Sequence, residues 1–372
     1  MPPLRLRQAI LRGFMDQSKL KQLTAPLLSW YEQNARKLPW RETPANAYHV
    51  WISEIMLQQT RVAAVREYYA RFLREFPTLA DLARGEERLM KCWEGLGYYS
   101  RARNLQKAAR QAMERFGGEL PRTYEDLTSL PGIGDYTAGA ILSIAWGQRV
   151  PAVDGNVLRL AARIMDCDED ISDIKVRRRF RSWVEEALPP AERCGDYNQA
   201  MMDLGATVCL PNGEPMCLLC PGRDFCAARE AGRQSSLPVK APKKGRRLEE
   251  RTVFVLLSSQ GAALRRRPET GLLAGLWEFP NVEGALREEE AARVLKCWGI
   301  EPLRWEKRIA AKHIFTHVEW HMTGYVLLCQ PSGPADFCWS DGRDFADKTV
   351  PTAFARFREE ALEHLERQEG SE

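Results

Sequence analysis

Four cysteines fall within eighteen residues, spaced Cys209-x7-Cys217-x2-Cys220-x5-Cys226. Four thiolates this close can enclose one metal centre, and soft sulfur ligands suit iron–sulfur clusters or zinc. The 7-2-5 spacing is not a pair of zinc knuckles, so one [4Fe–4S] cluster is favoured, with zinc second. The chain has ten cysteines in all. Its beginning, MPPLRLRQAILRGF, is basic but has too short an apolar core for a secretory signal. Reduced thiols in a cytoplasm are therefore expected, where clustered cysteines are more often ligands than disulfides. Cys92, Cys167, Cys194, Cys297, Cys329 and Cys338 have no motif spacing and read as small buried apolar residues. No run of eighteen apolar residues occurs, so no membrane span or membrane partner is expected.

At 372 residues, two domains are the natural expectation. The formal charge of +4 is unevenly spread: residues 1–232 carry a net +3, residues 233–252 a net +5 and residues 253–372 a net −4. Any nucleic-acid footprint must be a local patch plus a basic linker, and charge alone would not point to DNA.

Apolar residues recur at helical spacing in residues 48–76, 104–116, 137–146 and 157–165. The stretch GRQSSLPVKAPKKGRRLEER (residues 232–251) has no periodicity and reads as an exposed linker. Beyond it, residues 252–259, 314–321 and 323–329 are strand candidates, with helical patterning at 286–298 and 351–366. The chain thus divides into a mainly α region (1–232), a basic linker (233–251) and an α+β domain (252–372).

Three motifs carry chemistry. In LPGIGDYTAG (residues 130–139), Gly132 and Gly134 permit a tight turn into an Ala/Gly-rich helix whose first amides can meet a phosphate. A helix–turn–helix corner without ligand is the bland alternative. The full string favours a helix-hairpin-helix DNA-binding element. Asp154, in VDGNV, sits where an N-cap belongs, and a carboxylate there stays ionised and can stabilise an oxocarbenium-like sugar. Glu54 lies in YHVWISEIMLQQTRV. As one helix, that string places Glu54, Gln58 and Arg61 on one face, and a solvated polar stripe is the better reading from spacing alone. The apolar neighbours argue instead for partial burial, which would raise the Glu54 pKa and suit it to general acid work.

At these residues the chain resembles the MutY-type adenine DNA glycosylases of the helix-hairpin-helix superfamily. The likeness covers nearly the whole length: LPWR (38–41), SEIMLQQTRV (53–62), GLGYYSRARNL (95–105), LPGIGDYTAGAI, VDGNV, the cysteine cluster, GLWEFP (275–280) and FTH (315–317) follow in order. The resemblance implies a six-helix bundle with a cluster domain holding one [4Fe–4S] cluster, then a MutT/Nudix-like domain. The implied activity is base excision repair of duplex DNA: hydrolysis of the N-glycosidic bond of a flipped-out adenine mispaired with 8-oxoguanine or guanine. The protein would act as a monomer in a bacterial cytoplasm. Glu54 would protonate adenine N7, and Asp154 would stabilise the sugar cation, with a covalent adduct as one route. Tyr136 and Asn156 would support these two. Arg41 and Gln199 would line the adenine pocket. Gln59 and Tyr98 would fill or wedge the stack, and Gln58, Thr60, Leu96, Gly132 and Gly134 would complete the pocket and DNA contacts. Phe315, Thr316 and His317 would read the lesion, and Cys209, Cys217, Cys220 and Cys226 would hold the cluster.

Endonuclease III-like enzymes, which cut the strand through an imine, have a lysine where this chain has Tyr136. A phenol cannot form an imine, so the reaction is expected to stop at base removal, with a glycosylase/lyase as the alternative. A catalytically silent DNA-binding protein is a second alternative, weakened by the presence of both acids. Two departures from the family pattern stand out. The first cysteine interval is seven residues where six is commoner, the extra residue falling near Pro211, Asn212 and Gly213. Thr316 stands where many relatives have serine, which keeps the hydroxyl. The acidic run Arg287 to Glu290 does not continue as a Nudix hydrolase box, so a recognition module without pyrophosphatase activity is expected.

Overall fold

The computed structural model describes residues 4–242 and 245–369, with side chains from Lys19 onward except those of Glu86, Glu87 and Glu369. Two compact units emerge, Met1–Glu86 with Arg103–Pro242, and Glu87–Ala102 with Lys243–Glu372. The boundary falls within the expected linker, but residues 87–102 group with the second unit, a division that periodicity did not reveal. Lys243 and Lys244 of the linker lie outside the described residues.

The first unit is helical. The long helix Leu4–Asn34 contributes Leu20, Leu23 and Leu27, spaced to one face, to a core shared with Leu160, Phe180 and Tyr197. The helices Ala47–Leu57 and Asp135–Trp146 pack together, as do Gly155–Ile164 and Cys194–Thr207. The periodic stretch 48–76 proves to be two helices, Ala47–Leu57 and Val62–Glu75. The segment read as exposed linker is partly bound: Leu237 is 2% exposed, and its carbonyl accepts from Arg163 Nε at 2.9 Å. Of the six unassigned cysteines, Cys92, Cys194 and Cys329 are buried as expected, whereas Cys297 is exposed.

The second unit is a seven-stranded sheet, β1 (Arg247–Ser258), β2 (Gly261–Arg266), β3 (Trp277–Glu278), β4 (Asn281–Glu283), β5 (Pro302–Ile314), β6 (Val318–Cys329) and β7 (Phe337–Ser340). The order is β3-β2-β1-β6-β5, with β4 on β1 and β7 on β2. β1 and β6 run parallel, Val253 facing Gly324 and Val255 facing Val326. Successive residues of β1 bury opposite faces: Val253, Val255 and Leu257 pack with Phe357 and Leu365 of the helix Ala355–Glu369. Phe254 and Leu256 pack with Ala291 and Leu295 of the helix Glu288–Cys297. Helices therefore cover both faces, which is why β1 reads as a continuous apolar run. The strand candidate 314–321 is corrected: Phe315, Thr316 and His317 are the connection between β5 and β6.

Candidate active site

Asn46 caps the Glu54 helix, its side chain accepting from the Tyr48 and His49 amides at 2.9 and 3.4 Å. Every residue from Val50 to Met56 is buried, so Glu54, at 6% exposure, has no solvated stripe to join. The helix stops at Leu57 because Gln58 turns extended, and Gln59 adopts a left-handed φ of 64°. Gln58 and Arg61 therefore leave the Glu54 face, correcting the expected i, i+4, i+7 alignment. Gln59 is exposed, while Gln58 and Thr60 are half-buried in the turn.

The hairpin helix Asp135–Trp146 delivers Tyr136, whose hydroxyl donates to Glu54 Oε2 and lies 3.1 Å from Met202 Sδ. Gly132 needs its φ of 80°, and a Cβ there would meet Asn104 Cβ at 2.8 Å. Gly134 has open space around it and caps the helix without a side-chain bond, so the first-turn amides stay available to an anion. Asp154 is the N-cap expected: Oδ1 accepts from the Asn156 and Val157 amides at 2.8 Å each, and Oδ2 from Asn156 Nδ2 at 2.8 Å.

Burial pushes Glu54 up to about 7, with the charge of Asp154 adding to the shift and the Tyr136 hydrogen bond and Arg41 opposing it. Burial also drives Tyr136 well above its usual value, reinforced by the two carboxylates. Asp154 rises as well, because burial outweighs its three hydrogen bonds. The cap reading had anticipated only the stabilising half of that balance. The result is a carboxyl group that exchanges a proton near neutrality beside a second, rigidly aimed carboxyl group.

Arg41 and Gln199 belong to the same unit. Arg41 is held by Asp203, one turn after Gln199 on the helix Cys194–Thr207. In the second unit Leu96 is buried, whereas Tyr98 is half exposed with a φ of 48°. The Tyr98 hydroxyl lies 3.0 Å from Thr316 Oγ1. Around Thr316, the Phe315 ring packs against His313 and Trp320, and the Phe315 amide donates to the Val318 carbonyl at 2.8 Å. Thr316 and His317 are exposed. Of the acidic run, Glu290 accepts from the Arg287 amide at 2.9 Å and caps a helix.

All four cysteines of the motif line one pocket with Arg163, Arg229 and Gln234. Among the described residues, no three His, Cys, Asp or Glu side chains gather closely enough for a single metal ion. The Gln234 Oε1 atom in that lining is buried without a partner. Arg163 Nη1 donates to Cys209 Sγ at 3.2 Å and to the Leu210 carbonyl at 2.8 Å. Burial, with the neighbouring thiols adding to it, raises Cys217, Cys220 and Cys226. The buried Arg163 guanidinium in this lining suits a centre whose four thiolates leave it net negative. The residues fit an iron–sulfur cluster. The extra residue of the long interval sits in an exposed turn, Gly213 having a φ of 74°.

Arg159 connects the two places. Its Nε donates to the Cys209 carbonyl at 2.8 Å and its Nη2 to Asn156 Oδ1 at 2.9 Å, and Asn156 in turn holds Asp154. Gly205 permits this approach, since a Cβ there would lie 2.6 Å from Asn156 Cβ.

Residues 52–186 match the HhH-GPD superfamily of base excision DNA repair proteins, and residues 252–360 match the NUDIX domain. The adenine DNA glycosylases of Mus musculus and Homo sapiens are each 36% identical over 92% of this chain, covering 78% and 74% of their own lengths. This chain belongs to the adenine DNA glycosylase family. That of Buchnera aphidicola subsp. Acyrthosiphon pisum is 33% identical over 81% of this chain and 85% of its own. A thermostable thymine-DNA glycosylase aligns with 57% of this chain and 98% of its own, at a TM-score of 0.52 and 26% identity. The protein is a DNA N-glycosylase that removes adenine in base excision repair. Sequence reasoning missed Asp203, Arg159, Arg163 and Met202 at this glycosylase's site. A charged residue inside an apolar run, as in AMMDLGA, was the available signal for Asp203.

Proposed function

We propose that this glycosylase hydrolyses the N-glycosidic bond of adenine opposite 8-oxoguanine or guanine, with the adenine turned out of the duplex. Glu54 gives its proton to adenine N7, and the C1′–N9 bond breaks with its electrons going to the base. Asp154, steadied by Asn156, stabilises the sugar cation by its charge. Water adds to C1′ and its proton returns to Glu54, so that free adenine and an abasic sugar balance the reaction. The observation that carries this reading is a buried Glu54 whose pKa of about 7 lets it hold a proton at neutral pH, with Tyr136 fixing its orientation.

Arg41 and Gln199 bound the base pocket, and Gln59 and Tyr98 occupy the stack beside the opposing base. Phe315, Thr316 and His317 read that base from their turn. Cys209, Cys217, Cys220 and Cys226 hold one [4Fe–4S] cluster. When bound, the cluster supplies structural anchoring for the loop that presents Cys209. The protein acts as a cytoplasmic monomer, and its Nudix-like part serves recognition without pyrophosphatase activity.

Tyr136 occupies the lysine position of the imine-forming enzymes and is engaged with Glu54, which supports hydrolysis without strand cleavage. The test is base release from duplexes with adenine opposite 8-oxoguanine, guanine or thymine, run in parallel with borohydride trapping. Adenine loss from the first two without a trapped adduct is expected. A trapped adduct would assign a lyase, and release from adenine opposite thymine at equal rate would remove the proposed specificity.

A further inference from the structure

Asp203 is completely buried on the helix Cys194–Thr207. Its Oδ1 accepts from Arg36 Nε at 2.7 Å and from Arg41 Nη2 at 2.8 Å. Its Oδ2 accepts from Arg41 Nη1 at 2.7 Å and from the Arg36 amide at 3.2 Å. Both prongs of the Arg41 fork are thus spent on one carboxylate, the geometry in which a guanidinium binds most firmly. Burial would raise Asp203, yet the hydrogen bonds and charge of Arg41 and Arg36 bring it below its usual value. It is a committed anion.

Arg41 has a second carboxyl group within reach of its field, that of Glu54. The Tyr136 hydroxyl from the hairpin helix donates to Glu54, and Asp154 at the next helix cap and Arg41 from the segment after the first helix act on it through their charges. Arg41 is met by Asp203, by the Arg36 carbonyl at 3.3 Å and by the Tyr31 ring 5.7 Å away. One guanidinium therefore lies in the field of two carboxyl groups, and its paired hydrogen bonds go to Asp203. If Glu54 took those bonds, the ion pair would hold it ionised, and an ionised carboxylate has no proton to give.

We propose that Asp203 is a positioning residue that captures the Arg41 guanidinium and so withholds that cation from Glu54, leaving Glu54 free to carry its proton. The proposal rests on Glu54 being the acid. Removing the Asp203 charge leaves Arg41 buried and uncompensated, and Glu54 becomes its remaining carboxylate partner.

The test is single-turnover adenine release from saturating duplex, followed across pH. In the wild-type protein the rate should decline above about pH 7, as Glu54 loses its proton. Asp203→Asn should move that decline to lower pH by about one unit or more, with the low-pH plateau far less affected. Combining it with Arg41→Met should return the decline toward the wild-type position, because the released cation is gone. An unmoved decline in Asp203→Asn overturns the proposal, as does one that stays displaced in the double variant. Should Asp203→Asn fail to fold, Arg41→Lys, whose ammonium cannot span both Asp203 oxygens, must show an acid shift of the same sign, and its absence is equally fatal. Glu54→Gln separates this failure from that of the underlying reading. Turnover there with the decline intact removes Glu54 as the acid, whatever Asp203 does.

Discussion

The functional side chains of the two units sit in opposite surroundings. In the first, ionisable side chains are taken out of water: Glu54, Asp203, Arg159 and Arg163 are all buried, and each is answered by a specific partner. In the second, the core is a sheet covered by apolar helix faces, and Thr316 and His317 stand exposed on a turn. Burial changes what a carboxyl group does, which proton transfer requires. A turn on a rigid sheet presents hydroxyl and imidazole groups to solvent, which suits reading a base edge. Substitutions in the first unit should therefore cost rate, and those on the turn should cost discrimination.

The largest effect is expected from Glu54→Gln, which keeps shape and removes the acid. Single-turnover base release should fall by roughly 10²–10⁴-fold with duplex affinity retained. Retained turnover would break the contrast at its strongest point. Next comes Arg159→Gln, which cuts the connection from the Cys209 carbonyl to Asn156. Iron content and rate should decline together, by roughly 10–100-fold in rate. A full complement of iron with a slow rate would place Arg159 in the service of Asp154 alone. The smallest effect belongs to Thr316→Ala, which removes the hydroxyl facing Tyr98. A loss of about 0.5–1.5 kcal/mol in the preference for 8-oxoguanine over guanine is expected in competition assays. An equal loss on both partners would show that the turn supports binding without reading the base.

Much of this was legible before the structure. The apolar neighbours of Glu54 foretold its burial, and VDGNV foretold an Asp154 cap, because both depend on residues close in sequence. The break at Gln58 escaped detection, since MLQQTRV contains neither glycine nor proline to mark it. Strand β5 also escaped. It forms the sheet edge and is largely exposed along its length, so PLRWEKRIAAKHI has no apolar alternation to find. The arginines that answer Asp203 lie more than 160 positions away in sequence. Nothing local distinguishes such a buried carboxylate from a polar residue on a helix surface.

The most direct measurement is a carbon-13 titration of the Glu54 side-chain carboxyl group in glutamate-labelled protein, assigned by its disappearance in Glu54→Gln. A midpoint near pH 7 is predicted, because burial and the charge of Asp154 outweigh Tyr136 and Arg41. A midpoint near the ordinary value of 4.5 would contradict the idea that burial makes this residue the proton donor.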